Sequence, residues 1–271
     1  MYGKSENRDD YQDGPRPLAA MARDLPDAHH IPAHTHRRAQ LIYGTSGAIT
    51  VVTGRGTWVV PATRGVWVPA GVTHAMTCTG AVRMRTLYVE LGAWPGLPGE
   101  PTVVAVSPLL RELIEAATRI PLAYAPGSRD EAVMNLLLHE LAPHPVPALH
   151  LPTPADPELG PLCSAIRADP GRRWTTAEAA ARAHLSARSL QRRFPEATGM
   201  TLSHWVQQAR LLAAISLLAQ GVPVTAISAR LGYATPSAFT AMFRRALGVS
   251  PSGYFTDGRE TGRGARRQPV P

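Results

Sequence analysis

Apolar positions change their spacing twice along the chain. From Pro26 to about Val106, short apolar runs are broken by turn residues, predicting strands over 40–43, 48–53, 57–60, 65–69, 73–77 and 82–90. Glycine and proline punctuate these runs at 44–47, 53–56, 61–65 and 69–71. Six or more strands at such short spacing predict a small all-β barrel or double-sheet roll. From Ser107 the period becomes helical. Ser107 is a cap with Pro108 at the first position, and Leu109, Leu110, Leu113, Ile114 and Ala117 follow until Pro121. A second helix is predicted over 129–141, with Val133, Leu136, Leu137 and Leu141 on one side and Met134 and Leu138 widening the stripe. A hairpin this apolar packs on the barrel or on a second subunit, and the expectation taken is a homodimer built on 107–142.

Residues 143–157 hold six prolines in fifteen positions and are expected to form a semi-rigid linker at the domain boundary. Beyond it, 158–256 reads as all helical. The residues 1–20 and the basic tail 257–271 lack periodicity and are expected to be disordered, leaving 21–106 as the barrel. The expected fold class is therefore α+β and multidomain: a β-barrel with a helical hairpin, then an all-α domain.

Two similar patterns occupy the helical part. Each has a short helix of small and apolar residues, a tight turn (His184-Leu185-Ser186 or Gly232-Tyr233-Ala234), and a second helix with a polar, basic leading face. Those faces carry Ser189, Gln191, Arg192 and Arg193 in the first unit, and Ser237, Thr240, Arg244 and Arg245 in the second. A helix entering a major groove needs side chains that meet base edges at its start and cations that neutralise phosphates beside them. Thr175 and Glu178 form a capping-box pattern at the entrance. A long helix over 202–220, stopped by Gly221, separates the units by roughly 28 Å, near one turn of DNA.

Charge follows the same division. The chain carries +8 overall, but from Glu158 onward 15 arginines face 6 acidic residues, while residues 1–157 hold 13 basic and 14 acidic ones. A basic domain of this kind points to a polyanion. No run of eighteen apolar residues occurs, the N-terminus is polar and acidic, and Cys78 and Cys163 lack metal-type spacing. The expectation is a reduced, cytoplasmic protein with neither membrane span nor signal peptide.

Two stretches of the predicted barrel, His34-x-His36-x₃-Gln40-x₆-Gly47 and Pro69-x-Gly71-x₂-His74, resemble the cupin motifs. Residues two apart on a strand share a face, so His34 and His36 can converge, and the Pro-x-Gly turn can bring His74 to them. Three imidazoles and the Gln40 oxygen suit a divalent transition ion such as Zn, Ni, Mn or Fe. The chain departs from the motif in having Gln40 for Glu, Cys78 for Asn, and three residues between Gly65 and Pro69 instead of five. Arg38 shares the parity of the histidines. Either a bulge intervenes or Arg38 lines the rim, where it could pair with an acidic effector.

The two helical units resemble the AraC/XylS family of bacterial regulators. The likeness rests on Ser186, Leu190-Gln191-Arg192-x-Phe194 and Gly199, then Ile227-Ser228-Ala229-x-Leu231-Gly232-Tyr233, then Phe239-x₃-Phe243-Arg244-Arg245-x₂-Gly248-Val249-Ser250-Pro251-x₂-Tyr254. The resemblance implies base reading by Arg188, Gln191 and Arg192 and by Ser237, Ala238, Thr240 and Ala241. Leu190, Phe194, Phe239 and Phe243 would be core. His184 stands where glycine is usual, and Pro195 interrupts the first recognition helix past its base-reading turn. The small Ala238 and Ala241 suggest that the second unit reads few bases. The expected function is a sequence-specific DNA-binding transcriptional regulator, not an enzyme, with a sensor barrel. The alternative is a metal-dependent cupin enzyme with a helical appendage, and a nucleoid protein is a third reading. The implied partners are double-stranded promoter DNA, a small-molecule or metal effector and a second copy of the chain, with RNA polymerase open as a further one.

Overall fold

A computed structural model describes residues 7–62, 64–141 and 149–254. Two five-stranded antiparallel sheets form its first half. The strands are β1 (Leu18–Leu25), β2 (His30–His34), β3 (Ala39–Tyr43), β4 (Ala48–Thr53), β5 (Gly56–Pro61), β6 (Arg64–Val68), β7 (His74–Thr79), β8 (Val82–Val89), β9 (Thr102–Ala105) and β10 (His150–Pro152). One sheet runs β1-β8-β3-β6-β9 and the other β10-β5-β4-β7-β2. Between them lies an apolar interior of Ile42, Ile49, Val51, Trp58, Val60, Val66, Met76, Met84 and Tyr88. Strand β3 is buried at every position because its other side chains, Ala39, Leu41 and Tyr43, are covered by helices. A strand covered on both faces reads as a continuous apolar run rather than an alternation.

That cover is the hairpin α1 (Pro108–Ala117) and α2 (Arg129–Glu140), capped by Ser107 as its sequence predicts and by Ser128, which by sequence marks only a break before the second helix. Its stripe of Leu110, Leu113, Ile114, Ala117, Met134, Leu137, Leu138 and Leu141 packs on the β1–β8–β3 face of the same chain. The stripe assigned above to a partner subunit is therefore spent on the barrel. Leu109 and Leu136 alone among these hairpin leucines stay largely uncovered, at 49% and 44% exposure.

The N-terminal segment is more ordered than its composition suggests. Arg8–Tyr11 forms a 3-10 turn capped by Asn7, Tyr11 is fully buried beside Tyr88, and β1 begins at Leu18 inside the stretch expected to be disordered. One aromatic anchor outweighs the polar residues around it. Residues 1–6, the first part of the proline-rich stretch (through 148) and the tail from 255 lie outside the described residues.

Among the described residues the second half holds the helices α3 (Gly160–Ala168), α4 (Thr176–Arg182), α5 (Ala187–Thr198), α6 (Leu202–Ala219), α7 (Val224–Arg230) and α8 (Pro236–Leu247). The capping box forms, with the Thr175 hydroxyl accepting from Glu178 N and the Glu178 carboxylate from Thr175 N. The two turns need left-handed backbone, supplied by His184 at φ 55° and Gly232 at φ 73°. Histidine pays a steric cost there that glycine does not.

The end of the proline-rich stretch is not a free connector. His150–Pro152 pairs with Trp58–Gly56 as the edge strand of the second sheet, and Thr153 N donates to Arg55 O at 2.9 Å. Leu149 and Leu151 join Ala48 and Val59 of the barrel in one cluster with Leu159, Trp205, Leu212 and Ile215 of the helical half. At Gly56 any side chain would strike the His150 ring and the Leu151 carbonyl, so this close crossing requires glycine.

Candidate metal centre and nucleic-acid interface

His34, His36 and His74 meet at one mouth of the barrel. His34 ends β2 and is the register partner of His74 on β7. His36 lies past the end of β2, in the turn before β3, rather than on a common strand with His34. A register irregularity between Ile31 and His34 and the turn at 37–38 replace the simple alternation expected from spacing. The rings nevertheless converge, with centroids 4.4 to 5.2 Å apart. One nitrogen from each lies within 4.8 Å of the others. The Pro-x-Gly turn has a defined part in this: Gly71, at φ 76°, donates its amide to His36 O at 2.8 Å.

Hydrogen bonds decide what the rings offer. His34 Nδ1 meets Pro32 O at 2.7 Å and His74 Nδ1 meets Val72 O at 3.0 Å. A carbonyl at Nδ1 fixes the proton there and leaves the Nε2 lone pair free, the arrangement that metal-binding histidines use. His34 Nε2 and His36 Nε2 are buried with no hydrogen-bond partner. Burial, with the neighbouring imidazoles, pushes His36 down to about 3, and burial pushes His74 down to about 4, so both are neutral near pH 7. Burial also lowers His34, against its bond to Pro32 O.

Gln40 sharpens the chemistry. Its Nε2 donates to Thr86 Oγ1 at 2.9 Å, and the Thr86 hydroxyl in turn donates to Leu41 O at 2.8 Å. That chain turns Gln40 Oε1 toward His74 Nε2, 2.9 Å away. A neutral imidazole cannot donate at both nitrogens, so one of the two His74 contacts sets lone pair against lone pair. A cation beside Nε2 removes the conflict. Two ligands with bonds of ~2.1 Å stand ~3.0 Å apart on an octahedral ion and ~3.4 Å apart on a tetrahedral one, so this separation is closer to the octahedral case. The donor set thus fits a divalent ion. Thr86, and Tyr88 with its ring 5.2 Å from His36, belong to the site but carry no signal in the sequence. Only the fold places them there.

Arg38 sits at the rim, buried to 6% exposure. Its Nη2 donates to Gly14 O at 2.6 Å and lies 3.8 Å from Glu90, while its amide donates to Gln12 Oε1. It is held by the N-terminal segment rather than turned onto the histidines.

On the helical half, Arg188, Gln191, Arg192, Ser237, Ala238, Ala241, Arg244 and Arg245 are exposed, and Ser189 and Thr240 are half-buried. Ser189 is drawn into the cap of α5, with its amide and hydroxyl both bonded to Ser186 Oγ. Arg192 makes a loose contact with Glu196 at 3.4 Å and remains free to reach outward. Arg193 differs, its guanidinium being held by Asp156 and Glu158. Leu190, Phe194, Phe239 and Phe243 are buried as expected for packing positions. Pro195 lies inside α5, which continues to Thr198. Across the units, Arg210 on α6 donates to Pro170 O and Arg172 O and lies over the Tyr233 ring, bracing one unit against the other. No helix among the described residues is long and apolar enough to cross a membrane.

Comparison with known proteins agrees with this division. An AraC-like ligand binding domain matches residues 18–142, and a helix-turn-helix domain matches 179–257. The chain is 30% identical to the HTH-type transcriptional regulator NimR of Escherichia coli over 223 residues, 82% of this chain and 81% of that protein. It is 36% identical over 109 residues to the HTH-type transcriptional activator RhaR of Pectobacterium carotovorum, 38% of either chain. Among solved structures, the DNA-binding domain of AdpA in complex with a target DNA is 31% identical, covering 37% of this chain and 91% of that one with a TM-score of 0.35. With both domains matched in this order and a regulator similar over four fifths of each chain, the protein belongs to the AraC-type helix-turn-helix transcriptional regulators that carry an AraC-like ligand-binding domain.

Proposed function

We propose that this regulator reads specific DNA through α5 and α8, and that its barrel responds to a divalent transition metal held by His34, His36 and His74 with Gln40 as an oxygen ligand. The observation that carries the metal reading is the convergence of the three imidazoles, one nitrogen of each within 4.8 Å of the others, with two buried Nε2 atoms lacking a hydrogen-bond partner and the third facing an amide oxygen. A bound ion would supply a positive charge that satisfies those lone pairs and joins β2, β3 and β7 at the barrel mouth. Arg38, at the rim, is held by Gly14 O and faces Glu90, so an acidic co-effector would have to displace the N-terminal segment to pair with it. The DNA reading draws on the exposed polar faces of α5 and α8 and on the basic charge concentrated in this half. Leu109 and Leu136, which the barrel leaves uncovered, are the apolar positions through which the hairpin would meet a second copy.

The test is titration of Zn²⁺, Ni²⁺, Mn²⁺ and Fe²⁺ into chelator-treated protein and into the His34→Ala/His36→Ala double variant. Stoichiometric binding that disappears in the variant is expected, and binding that survives it sinks the site. Operator affinity with and without the bound ion then separates a signal from a structural metal, since an effector must favour one arrangement of the protein to change its affinity.

A further inference from the structure

Arg193 belongs by sequence to the reading face of α5, but the fold turns it elsewhere. It lies about 100° around the helix from Arg192. Its Nε and Nη2 donate to Asp156 Oδ2 at 2.8 and 2.5 Å, and Nη2 also reaches Glu158 Oε2 at 2.6 Å. The other oxygen of Asp156 accepts from Glu158 N at 3.1 Å, capping the short turn Pro157–Leu159 and fixing the carboxylate in place. One residue earlier, Ala155 N donates to Ala197 O at 3.0 Å, a second tie to the same helix. Just upstream, Pro152 pairs with Gly56 and Thr153 N binds Arg55 O. Residues 152–156 thus hold the β4–β5 hairpin at one end and α5 at the other. In that hairpin Thr53 is the register partner of His74.

One guanidinium between two carboxylates presents little positive charge to a phosphate, and the surplus acid would repel it. We propose that Asp156 and Arg193 form a lock fixing the first recognition helix to the sensor sheet, which makes Arg193 a positioning residue for DNA binding and not a DNA contact. The inference rests on α5 being a reading helix, as proposed above.

The full chain carrying Asp156→Asn, Arg193→Gln, both, or Arg193→Lys would be compared with wild type on a footprinted operator fragment and on random DNA across a salt series. Asp156→Asn keeps an oxygen for Glu158 N while removing the carboxylate from Arg193. Each single change is expected to weaken operator binding by about fivefold or more, a factor typical of coupling between sites. The double variant should bind no worse than either single, and the salt slope should stay at the wild-type value. Arg193→Lys should resemble Arg193→Gln, because an ammonium cannot reproduce the two-pronged contact. A phosphate contact gives the opposite pattern: Arg193→Gln lowers the salt slope by about 1, Asp156→Asn tightens binding to all DNA, and lysine restores affinity. That pattern overturns the lock, as do additive losses in the double variant. Arg192→Ala measured in parallel keeps the two readings apart. Equal losses on operator and random DNA would remove the base-reading role of α5, while the Asp156–Arg193 cycle still decides whether the two residues act as one.

Discussion

Thr86→Val tests the candidate metal centre without touching a ligand. Thr86 is fully buried, and its hydroxyl is the hinge of a relay that accepts from Gln40 Nε2 at 2.9 Å and donates to Leu41 O at 2.8 Å. Valine has nearly the same shape, so the cavity term is small and the loss is polar. Stranding the buried Gln40 amide costs roughly 1–3 kcal/mol, a fall in melting temperature of a few degrees in a chain of this size. The larger effect is chemical. Without Thr86 the amide can rotate and offer its NH₂ to the His74 lone pair, competing with a cation for the same site. Removing an outer-shell partner of this kind lowers metal affinity by about 10- to 100-fold. Competition against a chromophoric chelator measures the affinity, thermal unfolding measures the cost, and Thr86→Ser, which keeps the hydroxyl, should restore both. A Thr86→Val protein that melts lower yet binds metal within twofold of wild type would show that Gln40 is no ligand.

Arg192→Ala should cost roughly 1–3 kcal/mol on the operator and much less on random DNA, measured by parallel gel-shift titrations; a loss of stability instead would mark a packing residue. Leu137→Ala, at a fully buried position, should destabilise by about 2–5 kcal/mol in chemical unfolding, whereas Leu136→Glu should leave stability nearly unchanged and shift sedimentation toward a monomer. Chelator-treated protein should lose stability in acid. The folded values of about 3 for His36 and about 4 for His74 lie below the unfolded value near 6.5, so the unfolded chain takes up protons first. Stability is then complete above about pH 6.5 and falls toward pH 4 by up to about 1.4 kcal/mol per pH unit for each ring. A flat unfolding free energy between pH 6.5 and 4.5 would contradict the neutral state of these imidazoles.

Local signals carried much of this fold. Observed β4 coincides with the expected 48–53, and the strands expected at 40–43, 57–60, 65–69, 73–77 and 82–90 all appear with small shifts at their ends. The helix caps at Ser107 and Thr175 form because a side-chain oxygen near free amides is a local matter. Four strands had no such signal. β1 and β2 pair with strands far along the chain, β9 is short, and β10 lies in a proline-rich run whose composition speaks for a linker. The histidine spacing pointed to convergence but put His36 on a strand, where the chain instead turns. Thr86 and the Asp156–Arg193 pair involve residues 46 and 37 positions apart from their partners, a separation no periodicity reports. Arg193 and Arg192 look alike in sequence, and only the approach of the 155–158 segment distinguishes them.

The core shared by β10, β4, β5 and α6 has a consequence for exchanging parts between regulators of this type. A cut before Leu149 would strip Leu149 and Leu151 from Val59 and Ala48, and a cut after Leu151 would strip them from Trp205 and Leu212. Both fragments would then present to water an apolar surface that the parent chain keeps dry, an invitation to self-association. A chimaera that grafts this sensor onto a foreign reader therefore has to import the inward face of α6 together with β10, or supply a reader whose own central helix matches Val59 and Leu151. The transferable module ends inside the second domain, at the inward face of α6 and well beyond the prolines of 143–157.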